Sequence, residues 1–453
     1  MQKQIQPRFC GARQLQHASG TVLVESVKHR LLRVIGTVLL LCVAGCRDSA
    51  VPPAAATATE PVTITALVWA PDWPDEMNRI ADEFMRENPA IKVEVQFMIG
   101  NSVEENIKPK IAANHLPDIV SINPNGYAEQ LAQQNLLVEL GQTHAWDNML
   151  DSLKPDWTSP GGRHYGIAGG VAATFIYYNE AMFAKAGITT LPTDFDQFLV
   201  LCEKLKRAGF VPIMWNGGFP NMLGNGPFSA GFANAVVPAH PDWKAGIGSG
   251  ALNLDTEETA GIFAKIKLLP ARGFVQKNYL HTGYDEGIQL FRSGKTAMAF
   301  QGTWASGLLM HADNFSTGVM PAPWNARGKP LVPVIGSETG FGICPTRNQK
   351  AALQFLEFIY GKGFSIQQNK RQNIPPLKKV DGPVISDPKV ARLVAEIGKA
   401  PVTGGLYYAF LPASTIDMLH PLLEDLLAGK VSPAAAARAL DRSVKAEALI
   451  RNR

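Results

Sequence analysis

The sequence predicts an α/β protein with two lobes, and three observations lead to this fold class. Strand and helix patterns alternate along the first part of the chain, as they do in parallel sheets covered by helices. Without the 45 N-terminal residues, which have the pattern of an export signal, the 453-residue chain keeps 408 residues, more than one hydrophobic core usually holds. Aromatic and polar side chains follow the ends of predicted strands, where α/β folds bind ligands.

The N-terminal segment is predicted to be a secretory signal peptide. Its apolar run, Val34–Gly45, is shorter than the roughly 20 residues that cross a bilayer. The Val-Ala-Gly-Cys sequence that ends at Cys46 resembles the lipobox of bacterial lipoproteins, in which the cysteine is lipidated after cleavage. We therefore predict a signal peptide over residues 1–45, of which 1–27 reflect a start codon assigned too early, and a lipid anchor at Cys46. An ordinary signal peptide with an incidental cysteine is the alternative.

Composition limits the partners of the mature chain. Residues 46–61 are rich in Ala, Pro and Thr, which predicts a flexible tether. The whole chain has 43 Lys and Arg against 39 Asp and Glu, but the signal peptide holds six of the basic residues and one of the acidic ones. The remaining 37 basic and 38 acidic residues balance, so nucleic acid is not an expected partner and membrane contact is expected only through the lipid anchor.

The order of strands and helices is clearest in the first half of the mature chain. Alternating or β-rich patterns predict strands over 62–69, 91–97 and 118–122. A helix that carries Met77, Ile80 and Phe84 on one face separates the first two strands, and a second helix is predicted over about 101–113. This order predicts a parallel sheet covered by helices.

Four predicted strands are followed by aromatic and amide or carboxylate side chains. The stretches are Trp69-Ala-Pro-Asp72-Trp73, Asn123-Pro-Asn125, Trp215-Asn216-Gly217 and Gln301-Gly-Thr-Trp304. A tryptophan in the core or an Asn-Gly turn explains any single stretch, but four together indicate a binding site. Sugars suit this chemistry, because an indole ring stacks on the C–H face of a pyranose while amides and carboxylates bind its hydroxyls.

The motifs of common enzymes and metal sites do not occur in the sequence. Gly-x-Ser-x-Gly, His-Glu-x-x-His and Gly-x-Gly-x-x-Gly are missing, and Gly294-Lys295-Thr296 precedes a strand where a phosphate-binding loop precedes a helix. The nine histidines form no pair at metal-ligand spacing. Cys202 and Cys344 are too far apart in sequence for a local metal site, and whether they form a disulfide stays open. We therefore predict no catalytic residue, no metal and no cofactor.

Six stretches give the mature chain a family resemblance. They are Asp82–Val95, Leu116–Val120 with Leu136–Leu140, Ile176–Asn179 with Ala186–Ile188, Phe291–Trp304, Lys350–Leu356 and Gly429–Ala435. In their order and spacing, from about Val62 to Ile450, the chain resembles the family 1 extracellular solute-binding proteins of bacterial ABC importers, the group that includes maltose-binding protein. Each stretch is weak alone, and the arrangement is what makes the resemblance specific.

The resemblance implies the type II periplasmic-binding-protein fold. Each lobe would be a mostly parallel sheet flanked by helices, and a hinge of several crossings would join the lobes. The crossings are expected near Gly170-Val171, Val334-Ile335 and Pro376-Leu377. One lobe would then combine residues 62–170 with 335–376, and the other 171–334 with 377–453.

The resemblance and the strand ends together predict nine ligand-binding residues. They are Trp69, Asp72 and Asn125 from one lobe, Trp215, Asn216, Gln301, Trp304 and Tyr408 from the other, and Glu338 near the hinge. Trp304 matches a position where the family often stacks a ring on sugar. The sequence departs from the family after the third strand, where Asn123-Pro-Asn125 replaces aromatic and charged contacts, and in the glycine-rich loop Gly217–Asn221. The type of sugar therefore stays open.

The predicted function is capture of a carbohydrate by lobe closure and its delivery to the permease subunits of an ABC importer. An oligosaccharide fits the number of aromatic candidates better than a monosaccharide. The protein is expected to be a non-enzymatic monomer, exported and lipid-anchored to the cell envelope. The alternatives are a surface glycoside hydrolase or lyase on the same scaffold, a sensor lipoprotein, and a binding protein for a glycerol phosphate diester or a polyamine.

Overall fold

A computed structural model describes residues 61–100, 102–219, 221–384 and 386–451. The predicted signal peptide, the tether up to residue 60 and the lipidation site Cys46 lie outside these ranges. Among the helices that the structure describes, none combines the length and the apolar character needed to cross a membrane.

Strands and helices alternate along the first part of the chain, as the sequence predicts. The elements are β1 (Val62–Val68), α1 (Pro74–Glu87), β2 (Ile91–Phe97), α2 (Val103–Ala112), β3 (Ile119–Ile122), α3 (Gly126–Gln133), α4 (His144–Asn148) and β4 (Val171–Asn179). Helix α1 begins with Pro74 and two acidic residues, which suit a helix N-terminus, and it buries Met77, Ile80 and Phe84.

The remaining chain is mostly helical, with five short strands. The elements up to residue 309 are α5 (Glu180–Lys185), α6 (Phe195–Arg207), β5 (Ile213–Met214), α7 (Asn221–Leu223), α8 (Ser229–Ala235), α9 (Trp243–Ser249), α10 (Glu257–Ala271), α11 (Tyr284–Arg292), β6 (Met298–Gly302) and α12 (Ser306–Leu309). Those that follow are β7 (Thr317–Pro321), β8 (Val334–Ser337), β9 (Gly340–Ile343), α13 (Gln349–Tyr360), α14 (Lys362–Arg371), α15 (Pro388–Ile397), α16 (Tyr407–Phe410), α17 (Ala413–Leu427) and α18 (Pro433–Arg451).

The first sheet has four strands in the order β2-β1-β3-β9. Strand β1 runs parallel to β2 and β3, and β9 is the antiparallel edge strand on β3. The mostly parallel sheet that the alternating pattern predicts is therefore present here, and we call it and its helices the first lobe.

The second sheet corrects the sequence prediction of a mostly parallel sheet. Its order is β5-β6-β4-β7, with β8 also paired to β4, and we call it and its helices the second lobe. Strand β4 runs antiparallel to β6, β7 and β8, and only β5 and β6 run parallel. The chain enters the second sheet at Val171, the start of β4, and leaves it at Ser337, the end of β8, so these two paired strands run in opposite directions.

The chain passes between the two sheets at neighbouring places. Strand β4 begins at Val171, which faces Ser337 at the end of β8 and also forms a bridge with Ile374. Two residues separate Ser337 from Gly340, where β9 begins in the first sheet. These passages lie side by side, and we call them the hinge. The exact limits of the two lobes that the sequence predicts stay a prediction.

Candidate ligand-binding cleft

A cavity of about 1220 Å³, which includes space open to solvent, lies between the two lobes. Nine aromatic side chains line it: Trp69, Trp73, Phe219, Tyr284, Trp304, Phe341, Tyr360, Tyr407 and Tyr408. The polar lining residues are Asp72, Ser102, Glu104, Ser121, Asn123, Asn221, Asn225, Glu338, Thr339, Gln367 and Arg371. The cavity therefore combines large apolar faces with carboxylates and amides.

The structure separates the nine sequence-predicted site residues into two groups. Those that line the cavity are Trp69, Asp72, Trp304, Glu338 and Tyr408. Those that are buried behind its wall are Asn125, Trp215, Asn216 and Gln301. The role of all nine in ligand binding stays a prediction, but the buried four can only act through other side chains in this conformation.

Trp304 follows β6 and is positioned by its neighbours in sequence. Its indole Nε1 donates a hydrogen bond to Gln301 Oε1 over 3.1 Å, and Gln301 Nε2 in turn lies 3.4 Å from Asn216 Oδ1. A Cβ atom at Gly302 would lie 2.3 Å from the Trp304 ring. Gly302 thus leaves room for the indole to lie against the backbone, and the buried amides of Gln301 and Asn216 hold its polar edge.

Asn125 supports a carboxylate that the sequence analysis missed. Its Oδ1 caps helix α3 by accepting hydrogen bonds from two backbone N–H groups, and its Nδ2 donates to Glu104 Oε1 over 2.7 Å. Asn123 Nδ2 donates to the same oxygen over 3.1 Å, and Ser102 Oγ donates to Glu104 Oε2 over 3.0 Å. Glu104 is therefore held against the cavity by three donors of its own lobe.

Glu338 is the centre of a buried network at the hinge. Arg371 and Asn373 both donate to its Oε2, the latter over 2.9 Å. The Thr303 hydroxyl lies 3.2 Å from its Oε1 and 2.8 Å from the carbonyl oxygen of Val171. The Arg371 guanidinium also stacks over the Trp73 ring at 4.9 Å. Both charges are thus satisfied within the protein, as buried charges require.

Asp72 is the carboxyl group with the most altered acidity in the cleft. The Tyr284 hydroxyl, from the second lobe, donates to its Oδ2 over 3.3 Å. Enclosure between the lobes raises the pKa of Asp72 to about 7, although the Tyr284 hydrogen bond and the positive charge of Arg371 oppose this shift. Close to neutral pH, Asp72 is therefore divided between its charged and uncharged forms.

A π-helical turn, Gly224–Phe228, forms part of the second-lobe wall. The sequence analysis did not predict it. A Cβ at Gly224 would lie 2.6 Å from the Tyr407 ring, so the glycine lets this turn pack beneath the aromatic side chain. The turn also buries Asn225, whose Oδ1 has no hydrogen-bond partner among the described residues. Such a buried acceptor favours a ligand that brings hydrogen-bond donors.

Sequence reasoning missed Phe219, Tyr284 and Arg371 as well as Glu104 and Asn225. The glycine-rich loop before Phe219 was a visible signal, whereas Tyr284 is the first residue of α11 and Arg371 the last of α14, where the local sequence carries no sign of a binding site. Within the described ranges, no cluster of His, Cys, Asp and Glu could hold a metal ion, and Cys202 and Cys344 are separate, buried, free thiols.

Comparisons with known proteins agree with this architecture. The family model described as bacterial extracellular solute-binding protein matches residues 70–364. The chain belongs to this family. It is 22% identical to the multiple sugar-binding protein of Streptococcus mutans, over 73% of this chain and 77% of that protein.

Two solved structures are similar in fold to this solute-binding protein. A chitin oligosaccharide binding protein aligns with a TM-score of 0.74 and 22% identity, over 86% of this chain and 99% of that one. The protein RafE in complex with raffinose aligns with a TM-score of 0.70 and 20% identity, over 85% and 99% of the two chains. The two-lobed α/β fold class predicted from the sequence is thus confirmed.

Proposed function

We propose that this solute-binding protein captures a neutral oligosaccharide in the cleft between its lobes and delivers it to the permease subunits of an ABC importer. The observation that carries the proposal is the cavity wall, in which nine aromatic side chains surround amide and carboxylate groups. Aromatic rings cover the C–H faces of sugar rings, and the polar groups bind hydroxyls. The similar proteins are named as binding sugars, which supports the same ligand class.

The charges of the cleft argue against anionic ligands. Arg371 is the one cationic side chain among the described lining residues, and it is paired with Glu338. A phosphodiester or a sugar acid would have to compete with Glu338 for it and would also face Asp72 and Glu104. The electrostatic cost of bringing a negative charge beside buried carboxylates favours a neutral ligand.

The carboxylates also argue for binding rather than hydrolysis. A glycosidase needs two carboxyl groups that act as a pair across the scissile bond. Glu338 is held by Arg371 and Asn373, and Glu104 by three donors of its own lobe. Asp72 is left without a partner carboxylate that is free to act as nucleophile or base. We therefore propose a non-enzymatic function.

Lobe closure provides capture, because a ligand that contacts both lobes stabilises the closed state over the open one. Contacts across the cleft already exist: Asp72 meets Tyr284, and Lys108 Nζ lies 3.0 Å from Asp417 Oδ2. In the cell we propose a monomer that is exported and held at the envelope by the lipid on Cys46.

Isothermal titration calorimetry of the purified full-length protein tests the proposal. The titrants are neutral oligosaccharides, a uronic acid oligomer, a glycerol phosphate diester and spermidine, and each mixture is then analysed by chromatography for cleavage products. We expect binding of a neutral oligosaccharide that is recovered intact. Cleavage of any glycan, or binding of spermidine or the diester alone, would contradict the proposal.

A further inference from the structure

The glycine-rich loop that departs from the family pattern holds Phe219 in a fixed position. The backbone N–H groups of Gly217 and Gly218 donate to the carbonyl oxygens of Tyr279 and Thr282 over 2.7 and 2.9 Å. A Cβ at Gly217 would lie 2.9 Å from the Tyr279 oxygen, so no larger residue fits without movement of the backbone. The two glycines therefore press the loop against its neighbour and direct Phe219 into the cavity.

Trp69 faces Phe219 from the first lobe. It follows strand β1 directly, and its backbone N–H donates to Ser121 Oγ over 2.9 Å. The two rings are stacked at 20° to each other, with their centroids 6.5 Å apart. Tyr284 packs edge-on against Phe219, with the ring centroids 5.4 Å apart, and so supports that ring. Two nearly parallel aromatic faces thus meet across the cleft, each held by its own lobe.

A sugar ring that enters between two such faces needs a contact distance of about 4 Å on each side, or about 8 Å in total. The Trp69 and Phe219 ring centroids lie 6.5 Å apart, so a pyranose ring enters only when movement at the hinge separates the two rings further. We propose that Trp69 and Phe219 form a two-sided clamp that grips one pyranose ring of the ligand and selects rings whose hydroxyls are all equatorial. This inference rests on the proposed carbohydrate-binding function.

The selectivity follows from the shape of the sugar. In a β-linked ring of the glucose, N-acetylglucosamine or xylose type, the axial positions on both faces carry only hydrogen, so both faces are apolar. A galactose-type ring has one axial hydroxyl on one face. Pressing that hydroxyl against an aromatic ring removes its water without supplying a hydrogen-bond partner, which costs free energy. A two-sided clamp penalises such rings, whereas a single stacking platform accepts them through their other face.

Calorimetric titration with matched trisaccharides tests the clamp. Cellotriose and chitotriose represent all-equatorial rings, and a β-1,3-linked galactose trisaccharide has an axial hydroxyl in every ring. The variants are Phe219→Ala, Phe219→Tyr, which keeps the ring, and Phe358→Ala as the control. Phe358 is a half-buried aromatic residue that packs edge-on against Phe84 outside the cleft.

We expect cellotriose or chitotriose to bind at least about 10-fold more tightly than the galactose trisaccharide, as an aromatic contact of about 1.4 kcal/mol provides. Phe219→Ala should remove most of this preference, whereas Phe219→Tyr and Phe358→Ala should preserve it. Equal binding of the two sugar types by the unmodified protein, or an unchanged preference in Phe219→Ala, overturns the clamp and leaves the proposed function intact. Failure of every carbohydrate to bind overturns both.

Discussion

The two walls of the cleft differ in their chemistry. The charged lining residues that the structure describes all belong to the first lobe and the hinge: Asp72, Glu104, Glu338 and Arg371. The second-lobe wall is neutral, and its described lining residues are Phe219, Asn221, Met222, Asn225, Tyr284, Trp304, Tyr407, Tyr408 and Ile416. Among the described lining residues, both walls therefore supply aromatic surface, but only the first lobe and the hinge supply charge.

This division suits a cleft that opens and closes. A buried charge must keep its partners, so Glu104 and Glu338 take nearly all of theirs from the wall to which they belong. Aromatic contact is less directional, and it is easily lost and regained as the lobes move. The asymmetry thus keeps the buried ion pair of Glu338 and Arg371 out of the motion, and the contacts that cross the cleft are that of Asp72 with Tyr284 and the exposed pair of Lys108 with Asp417.

The largest effect on stability is expected when the first-lobe wall loses Arg371, its cationic side chain. Arg371→Ala leaves the buried Glu338 carboxylate without its charge partner, which should lower the free energy of unfolding by about 3–5 kcal/mol. Urea unfolding measures this change. The matched control is Lys362→Ala, which removes the exposed pair with Glu87 and should cost less than about 1 kcal/mol. Similar losses in both variants would show that burial of the Arg371 pair contributes nothing.

On the second-lobe wall, Trp304→Ala should weaken binding of the oligosaccharide by roughly 1–3 kcal/mol, because a large stacking surface is removed. Calorimetric titration measures the affinity. Phe315→Ala is the control, since Phe315 is a half-buried ring of the second lobe that packs on Phe291 away from the cavity. An affinity unchanged by Trp304→Ala would mean that the indole serves only to pack the two lobes.

A substitution of Asn125 tests whether a residue buried behind the first-lobe wall influences ligand binding through Glu104. Asn125→Ala removes the cap of α3 and a donor to Glu104, so we expect a loss of about 1 kcal/mol in unfolding free energy and a smaller loss in ligand affinity. Thr143→Ala removes a comparable cap from α4, outside the cleft, and should lower stability alone. Equal ligand affinities of the two variants would show that Asn125 does not influence ligand binding through Glu104.

The pH dependence of stability tests the enclosure of Asp72. Its pKa is about 7 in the folded protein against an ordinary value of 3.8, so the folded state binds this proton more tightly than the unfolded state does. The resulting stabilisation is complete below about pH 4 and is lost as the pH rises through about 7. Asp72→Asn should flatten this part of the stability profile, which thermal unfolding from about pH 4 to 8 measures. A profile identical to that of the unmodified protein would contradict the pKa shift.

Local patterns in the sequence predicted much of the fold and part of the cleft. The strands and helices between Val62 and Ile122 follow from periodicity and β-branched content, which depend only on near neighbours. Strand β6 ends at Gly302, and Trp304 follows two residues later. Both residues belong to the short stretch from which the sequence predicted a strand that ends at a binding site. The two-lobed fold followed from the family resemblance, which depends on spacing along the chain.

Tertiary structure alone decided which side chains reach the cavity. Trp215 follows β5 and Gln301 lies within β6, but the packing of the second lobe turns both side chains into its core, while Tyr284 and Arg371 enter the cleft from helices. The antiparallel pairing of β4 with β8 likewise depends on where the chain enters and leaves the second lobe. Periodicity is a property of neighbouring residues, so the sequence alone determined the elements. The side chains that meet across a cleft come from distant parts of the chain, and only the packing of the two lobes brings them together.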